Sequence, residues 1–92
     1  MSAPDSQRVH TLTLLTRAEC GLCEEMLNEL QALGVRHVLP PLRLLDVDSD
    51  RELQRRYGMK IPVLLLNDAP VCTVRLDREE LLRVLRIRPD SA

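Results

Sequence analysis

The residues most able to do chemistry are two cysteines in the segment RAECGLCEE, which spans residues 17–25. Cys20 and Cys23 lie where an apolar strand pattern stops and a helical pattern begins. A thiolate is the nucleophile of thiol–disulfide exchange, and the N-terminus of a helix favours an anion. The spacing also brings the two sulfurs within bonding reach. We therefore predict a redox dithiol in which Cys20 attacks a disulfide and Cys23 resolves the mixed disulfide.

The charges around this pair are mostly negative. Residues 17–25 contain one arginine and three glutamates, which gives 1 − 3 = −2. That sum weakens the stabilisation of a thiolate by the helix dipole, so we expect a reductant or a near-neutral exchanger rather than a strong oxidant. Arg17, three residues before Cys20, is predicted to add positive charge near the thiolate or to hold an anionic substrate.

Composition limits the class of protein. The 92 residues suffice for one domain, and 45% hydrophobic with 29% charged residues is typical of a globular chain. A net charge of −1 and a single aromatic residue, a tyrosine, give no basis for binding nucleic acid or an anionic membrane. The sequence shows neither a signal peptide nor a membrane-spanning apolar run. We therefore expect a cytoplasmic monomer. Because the cytosol is reducing, we do not expect the three cysteines to form a structural disulfide framework.

The elements that must position the pair follow from apolar spacing in the first half of the chain. Residues 9–15 are apolar on both faces, which indicates a central strand covered on both sides. An amphipathic helix is predicted from about residue 20 to 33, with Gly34 as a left-handed C-cap. A second strand is predicted at residues 42–47. Asp48 or Ser49 is expected to cap a short helix that ends at Gly58.

The second half predicts a hairpin and a helix. A buried strand at residues 63–66 is followed by a turn at residues 67–70 and a strand at residues 71–76. In that last strand, Cys72 is expected on the apolar face. Asp77 and Glu80 have the spacing of a capping box before a final helix, which Pro89 should end. The predicted order is β-α-β-α-β-β-α, an α/β fold with a four-stranded mixed sheet and helices on both faces.

These features together resemble the glutaredoxin family of the thioredoxin-like superfamily, and above all the small bacterial glutaredoxin-like proteins. The resemblance rests on the strand, on the motif at residues 16–23, on Ile61-Pro62 and on the element order, and it covers residues 9–87. It implies a thioredoxin-like fold and a single glutaredoxin-like domain over residues 1–92, with its core at about 9–87. It also implies a cis Pro62 beside the cysteines and a backbone at Ile61 that is offered to the substrate.

The implied activity is that of a thiol–disulfide oxidoreductase acting on protein or glutathione disulfides. Its catalytic residues would be Cys20 and Cys23. The substrate-binding residues would be Arg17, Gly21, Leu22, Ile61 and Pro62. No resident cofactor or metal is expected; glutathione is a candidate co-substrate, and glutathione or a flavin-dependent reductase would be the cytosolic reductant.

The sequence departs from the family pattern near the site. Gly21 and Leu22 stand where dithiol glutaredoxins carry Pro and Tyr, and Arg17 replaces a lysine. The Gly-Gly pair after the fourth strand, which normally helps to hold the γ-glutamyl end of glutathione, is missing, and residues 73–77 read TVRLD instead. Glu19 occupies the position of the thioredoxin tryptophan.

Other interpretations of the same residues stay open. The cysteine pair could belong to a non-enzymatic iron–sulfur or metal carrier, or the fold could be a redox-inert interaction module. Zinc would need four ligands, and the remaining candidates show no ligand spacing: Cys72, His10 and His37. Asp46, Asp48 and Asp50 imitate the start of a calcium loop. Because an arginine and a tyrosine stand at its glycine and glutamate positions, we interpret the aspartates as a strand end and helix caps.

Overall fold

The computed structural model describes residues 10–86, so Val9 of the first predicted strand and Pro89, the predicted end of the last helix, lie outside the described part. The elements are β1 (Leu12–Thr16), α1 (Gly21–Arg36), β2 (Leu42–Asp46), a 3₁₀ turn (Val47–Ser49), α2 (Arg51–Tyr57), β3 (Val63–Leu66), β4 (Ala69–Thr73) and α3 (Arg78–Leu85). The predicted order of strands and helices is confirmed.

The strands form one mixed sheet in the order β2-β1-β3-β4. β1 pairs with β2 in parallel and with β3 in antiparallel orientation, while β3 and β4 form an antiparallel hairpin. β1 is therefore a central strand, and its first four residues are buried. This confirms the interpretation of its two apolar faces, because only a strand with packing on both sides gains from burying both sets of side chains.

Helices cover both faces of the sheet. On one face, α1 and α3 pack on alternate residues of β1 and β3 in a cluster of buried side chains: Leu12, Leu14, Met26, Leu30, Leu33, Leu64, Leu81 and Leu82. On the other face, the 3₁₀ turn and α2 cover a smaller cluster of Leu15, Val47, Val63 and Leu65, against which Leu53 and Tyr57 pack. Nearly all of this apolar burial comes from leucine and valine.

The predicted ends of α1 and α2 are corrected. α1 does not stop at Gly34; it continues to Arg36, and His37 is the C-cap, donating its backbone N–H to Leu33 O at 3.0 Å. The apolar spacing ended early because the last turn is exposed to solvent. At α2 the N-cap is Asp50, whose carboxylate accepts hydrogen bonds from the N–H groups of Glu52 and Leu53.

The hairpin is also shifted from its prediction. The turn contains only Asn67 and Asp68, both at positive φ, and β4 begins at Ala69 and ends at Thr73. Residues Asn and Asp suit such a turn because they tolerate the left-handed region. Val74, predicted to continue the strand, has φ 70° and ends it instead.

The last helix begins as predicted, with one difference in its cap. The carboxylate of Asp77 accepts the N–H of Glu80 at 3.0 Å, but Glu80 itself binds Arg83 rather than returning to the Asp77 backbone. Only one half of the capping box is therefore formed. Within residues 10–86, no helix combines the length and the apolar character needed to cross a bilayer.

Candidate active site

One end of the sheet gathers the segments that carry the predicted site residues. The strand register pairs Thr16 with Asp46, Leu15 with Val63, and Val63 with Thr73. The loop after β1, the 3₁₀ turn after β2, the segment before β3 and the segment after β4 therefore meet at this edge. It is the carboxyl end of the two parallel strands, where open α/β sheets commonly bind ligands.

The loop after β1 delivers Cys20 to the start of α1. Glu19, directly before it, has a left-handed backbone with φ 58°. Cys20 is the N-cap residue, with an extended backbone, and its carbonyl accepts the N–H of Glu24. Its Sγ accepts the N–H of Cys23 at 3.1 Å, the part that a serine or aspartate oxygen usually plays at an N-cap. This arrangement places the sulfur among the unpaired N–H groups of the helix end, which stabilise an anion.

Cys20 and Cys23 are joined in a disulfide, with their Cα atoms 5.2 Å apart, within the range usual for such bonds. The two residues differ in access to solvent. Cys20 is half-buried, whereas Cys23 is 4% exposed and belongs to the apolar interior. An approaching molecule can therefore reach Cys20 much more readily than Cys23.

Arg17 forms an ion pair that the sequence did not predict. Its Nε donates to Asp48 Oδ2 at 2.7 Å and its Nη2 donates to Asp48 Oδ1 at 2.9 Å, which makes a two-point ion pair. Its Nη1 donates to the carbonyl of Gly58 at 3.2 Å. The hydrogen bond to Asp48 raises the pKa of Arg17 above its usual value. The positive charge of Arg17 is thus matched by a carboxylate on the neighbouring segment.

Asp48 receives a further bond from α2. Gln54 Nε2 donates to Asp48 Oδ1 at 2.9 Å. The hydrogen bonds from Arg17 and then from Gln54 lower the pKa of Asp48 to about 2. The end of α2 requires the glycine at residue 58, since a Cβ there would lie 2.5 Å from the carbonyl oxygen of Gln54 in the same helix and 3.4 Å from Arg17 Nη2.

The predicted proline lies in the segment before β3. The peptide bond between Ile61 and Pro62 is cis, as the resemblance implied. Pro62 is fully buried, and its carbonyl accepts the N–H of Val74 at 2.7 Å, which joins the segment before β3 to the one after β4. Ile61 is half-buried against the smaller core cluster.

Gly21 and Leu22, between the cysteines, are both exposed. A Cβ added to Gly21 would meet no atom within 4 Å, so packing does not require a glycine there. Leu22 is 39% exposed and borders a shallow groove of about 140 Å³. Glu25 and Glu29 of α1 line the same groove, and the segment of residues 74–76 forms its other side.

Cys72 is the third cysteine and carries a free thiol on β4. It is half-buried and packs against the main core cluster, as predicted for a small apolar residue. Burial raises the pKa of this thiol. Among residues 10–86, no group of three or more His, Cys, Asp or Glu side chains is arranged to hold a metal ion.

The sequence prediction missed two residues of this region as parts of the site. It assigned Asp48 only to a helix cap or strand end, and Gly58 only to a helix stop. A signal for Asp48 was present, because it follows β2 as Arg17 follows β1, and the carboxyl ends of parallel neighbours meet. The contact of Gly58 with Arg17 had no such signal, since it depends on the angle at which α2 packs.

The order of the sheet, the helices on both faces and the cysteine pair at the first helix define a thioredoxin-like protein. The chain belongs to the family described as Glutaredoxin-like domain (DUF836), whose model matches residues 11–86. The resemblance seen in the sequence is thereby confirmed, and the fold with its close cysteine pair supports a redox function.

Solved structures share this fold. Protein Ne2328 from Nitrosomonas europaea is 28% identical, with a TM-score of 0.72 over 83% of this chain and 89% of that one. A single-site mutant of thioredoxin from Halobacterium salinarum NRC-1 is 22% identical, with a TM-score of 0.55 over 89% and 76% of the chains. The oxidised thioredoxin from Plasmodium falciparum is 18% identical, with a TM-score of 0.54 over 87% and 80%. The two thioredoxins show a shared fold alone. A search of curated proteins gave no match.

Proposed function

We propose that this protein is a glutaredoxin-like thiol–disulfide oxidoreductase that uses Cys20 as the attacking thiol and Cys23 as the resolving thiol. The observation that carries the proposal is the bonded pair at the start of α1, in which Cys20 is accessible and Cys23 is 4% exposed. A helix N-terminus stabilises the thiolate that exchange requires. The buried thiol of Cys23, one helical turn further on, can attack Cys20 Sγ but is shielded from other molecules.

The reaction begins from the dithiol. The Cys20 thiolate attacks one sulfur of the substrate disulfide, whose S–S bond breaks, and the departing substrate thiolate takes up a proton. The Cys23 thiolate then attacks Cys20 Sγ, the mixed disulfide breaks, and the second substrate thiol leaves. Two electrons have passed from the protein to the substrate. A thiol reductant of the cytosol, such as glutathione, would return the Cys20–Cys23 disulfide to the dithiol.

The substrate would lie against the exposed residues at this end of the sheet. Gly21 and Leu22 leave the surface beside Cys20 open, and the backbone at Ile61 and Pro62 belongs to a segment at the same edge. We propose that these residues receive the chain of a disulfide-containing protein or small molecule, and that the protein needs no cofactor of its own. Glutathione is a candidate co-substrate in the recycling step.

Reduction of insulin disulfides by the full chain, with dithiothreitol as the reductant, tests the proposal. The wild type should exceed the rate of dithiothreitol alone, and Cys20→Ser should reduce the rate to that background. Cys72→Ser is the matched control, because it removes the one cysteine outside the pair and should keep the wild-type rate. A Cys20→Ser variant as active as the wild type would overturn the mechanism.

A further inference from the structure

The Arg17–Asp48 ion pair changes which charges an incoming disulfide meets. Arg17 uses Nε, Nη1 and Nη2 in bonds to Asp48 and to the Gly58 carbonyl. The carboxylate and the guanidinium cancel in formal charge, and the pair is fixed at two points. The cation nearest to Cys20 in the sequence therefore offers little attraction to an anionic molecule at the disulfide.

The other charges near the cysteine pair are mainly acidic. Glu19 lies directly before Cys20, and Glu24 lies in the first turn of α1. Glu25 and Glu29 line the groove beside Leu22. No cation among residues 10–86 forms an ion pair with any of these four glutamates. The formal charges on the first three turns of α1 are thus all negative; the basic residues of the neighbouring segments are Arg75, which lines the groove, and Lys60, which precedes Ile61.

We propose that Asp48 is a specificity-determining residue: by pairing with Arg17 it leaves an acidic rim around Cys20, which favours disulfides flanked by cationic groups over the anionic disulfide of glutathione. This inference rests on the proposed oxidoreductase function and names its substrate class. Two sequence features near the site would then both weaken the binding of glutathione. The chain lacks the Gly-Gly pair, and Arg17, the basic residue before the cysteines, is paired with the carboxylate of Asp48.

The test compares a cationic and an anionic disulfide of small size. The reduced full chain is mixed with cystamine or with oxidised glutathione, quenched with acid and alkylated, and the oxidised fraction is read by mass spectrometry. Each rate is divided by the rate of dithiothreitol with the same disulfide. The wild type should show a cystamine-to-glutathione ratio above one at low salt. The ratio should approach one at high salt, where charges separated by more than roughly 3 Å are screened.

The variants distinguish an effect of the Arg17–Asp48 pair from an effect of the net charge of the protein. Asp48→Asn removes the carboxylate that forms the ion pair with Arg17 and should shift the ratio toward glutathione by about three- to tenfold at low salt. The double variant Arg17→Gln/Asp48→Asn removes both charges and should return the ratio to within about twofold of the wild type. Asp48→Glu keeps the charge and should behave as the wild type. Glu52→Gln is the matched control, because Glu52 pairs with Arg55 and Arg56 on the exposed side of α2.

The outcomes are distinct. An Asp48→Asn ratio equal to that of the wild type, or a double variant shifted as far as Asp48→Asn, would overturn the inference. If Asp48→Asn does not fold, as judged by circular dichroism, the wild-type salt series and Asp48→Glu replace it. A cystamine-to-glutathione ratio of one at low salt in these proteins overturns the inference. A wild type that reacts with neither disulfide faster than dithiothreitol would contradict the proposed function itself, whatever the ratio.

Discussion

The backbone N–H of Cys23 donates a hydrogen bond to the Sγ of Cys20 at 3.1 Å, so the resolving residue also helps to hold the attacking sulfur. The bond would strengthen when the sulfur is a thiolate, because hydrogen bonds to a charged acceptor are stronger than those to a neutral one. It is made by the backbone, and it therefore survives replacement of the Cys23 side chain. Attack and resolution can be separated by mutation for this reason.

Cys23→Ser should convert the protein into a trap. Cys20 keeps its N-cap position at the start of α1 and the hydrogen bond from the backbone N–H of residue 23, so it should still attack the neutral hydroxyethyl disulfide. The mixed disulfide then persists because no resolving thiol follows. Intact-protein mass spectrometry should show one added mercaptoethanol group, which dithiothreitol removes. Cys20→Ser should show no such adduct at residue 20, and rapid turnover by Cys23→Ser would contradict the assigned roles.

The thiol of Cys72 should react slowly and only at raised pH. Burial raises its pKa, so the neutral thiol persists to a higher pH than in a free cysteine and the thiolate fraction at neutral pH is smaller. In the variant Cys20→Ser/Cys23→Ser it is the one remaining cysteine. The rate of alkylation by iodoacetamide, followed against pH, should have its midpoint above that of N-acetylcysteine. Unfolding in guanidinium should bring the two midpoints together, and a folded midpoint at or below that of N-acetylcysteine would refute the prediction.

Sequence patterns were sufficient where a single element determines the result. The apolar faces of β1 indicated its central position, the bounds of β3 were predicted as Val63–Leu66, and Asp77 was identified as a cap. They failed where a local signal has exceptions and where tertiary contacts decide. Glycine often stands just past the end of a helix, yet α1 continues through Gly34 to Arg36, and the backbone N–H of His37 donates to the Leu33 carbonyl.

The same limit applies to the site. The cysteine pair and its place on α1 follow from residue types at short spacing. The pairing of Arg17 with Asp48 joins segments 31 residues apart, so it depends on which loops the parallel strands bring together. The left-handed backbone of Val74 could not be predicted, because a β-branched residue in that region is an exception to the local rule.

Val74 is a point of local strain that a better-suited residue should relieve. Its φ is 70°, and the N–H of Arg75 donates to the Thr73 carbonyl at 2.7 Å, which closes a γ-turn of the rarer, positive-φ form. Asparagine adopts a positive φ more readily than a β-branched residue, and Val74 is already 39% exposed. Val74→Asn should therefore raise the free energy of unfolding by about 1 kcal/mol.

Urea unfolding under oxidising conditions measures this change. Thr73→Gly is the matched control, since Thr73 is the preceding exposed residue and ends β4 without a positive φ. A glycine there should lower the stability by roughly 0.5–1 kcal/mol, because it adds entropy to the unfolded chain. Loss of stability in Val74→Asn similar to that in Thr73→Gly would show that the turn is not strained.

Asp48 should contribute to the acid sensitivity of the protein. The bonds from Arg17 and Gln54 lower its pKa to about 2 in the folded state, from the usual 3.8. In the interval between these values the unfolded chain binds the proton that the folded protein does not. The stabilisation from the ion pair is therefore fully present above about pH 4 and is lost as the pH falls toward about 2.

Asp48→Asn has no carboxylate to titrate at this position. Its melting temperature should be lower than that of the wild type at about pH 5, where the ion pair is intact, and the two should converge near about pH 2. Thermal unfolding at several pH values checks this. Asp68→Asn is the control, because Asp68 has no ion pair or side-chain hydrogen bond within residues 10–86, and it should keep the pH dependence of the wild type. Parallel melting curves for Asp48→Asn and the wild type across this range would mean that the Arg17–Asp48 pair does not stabilise the fold. The pair would then act on the charge of the site alone.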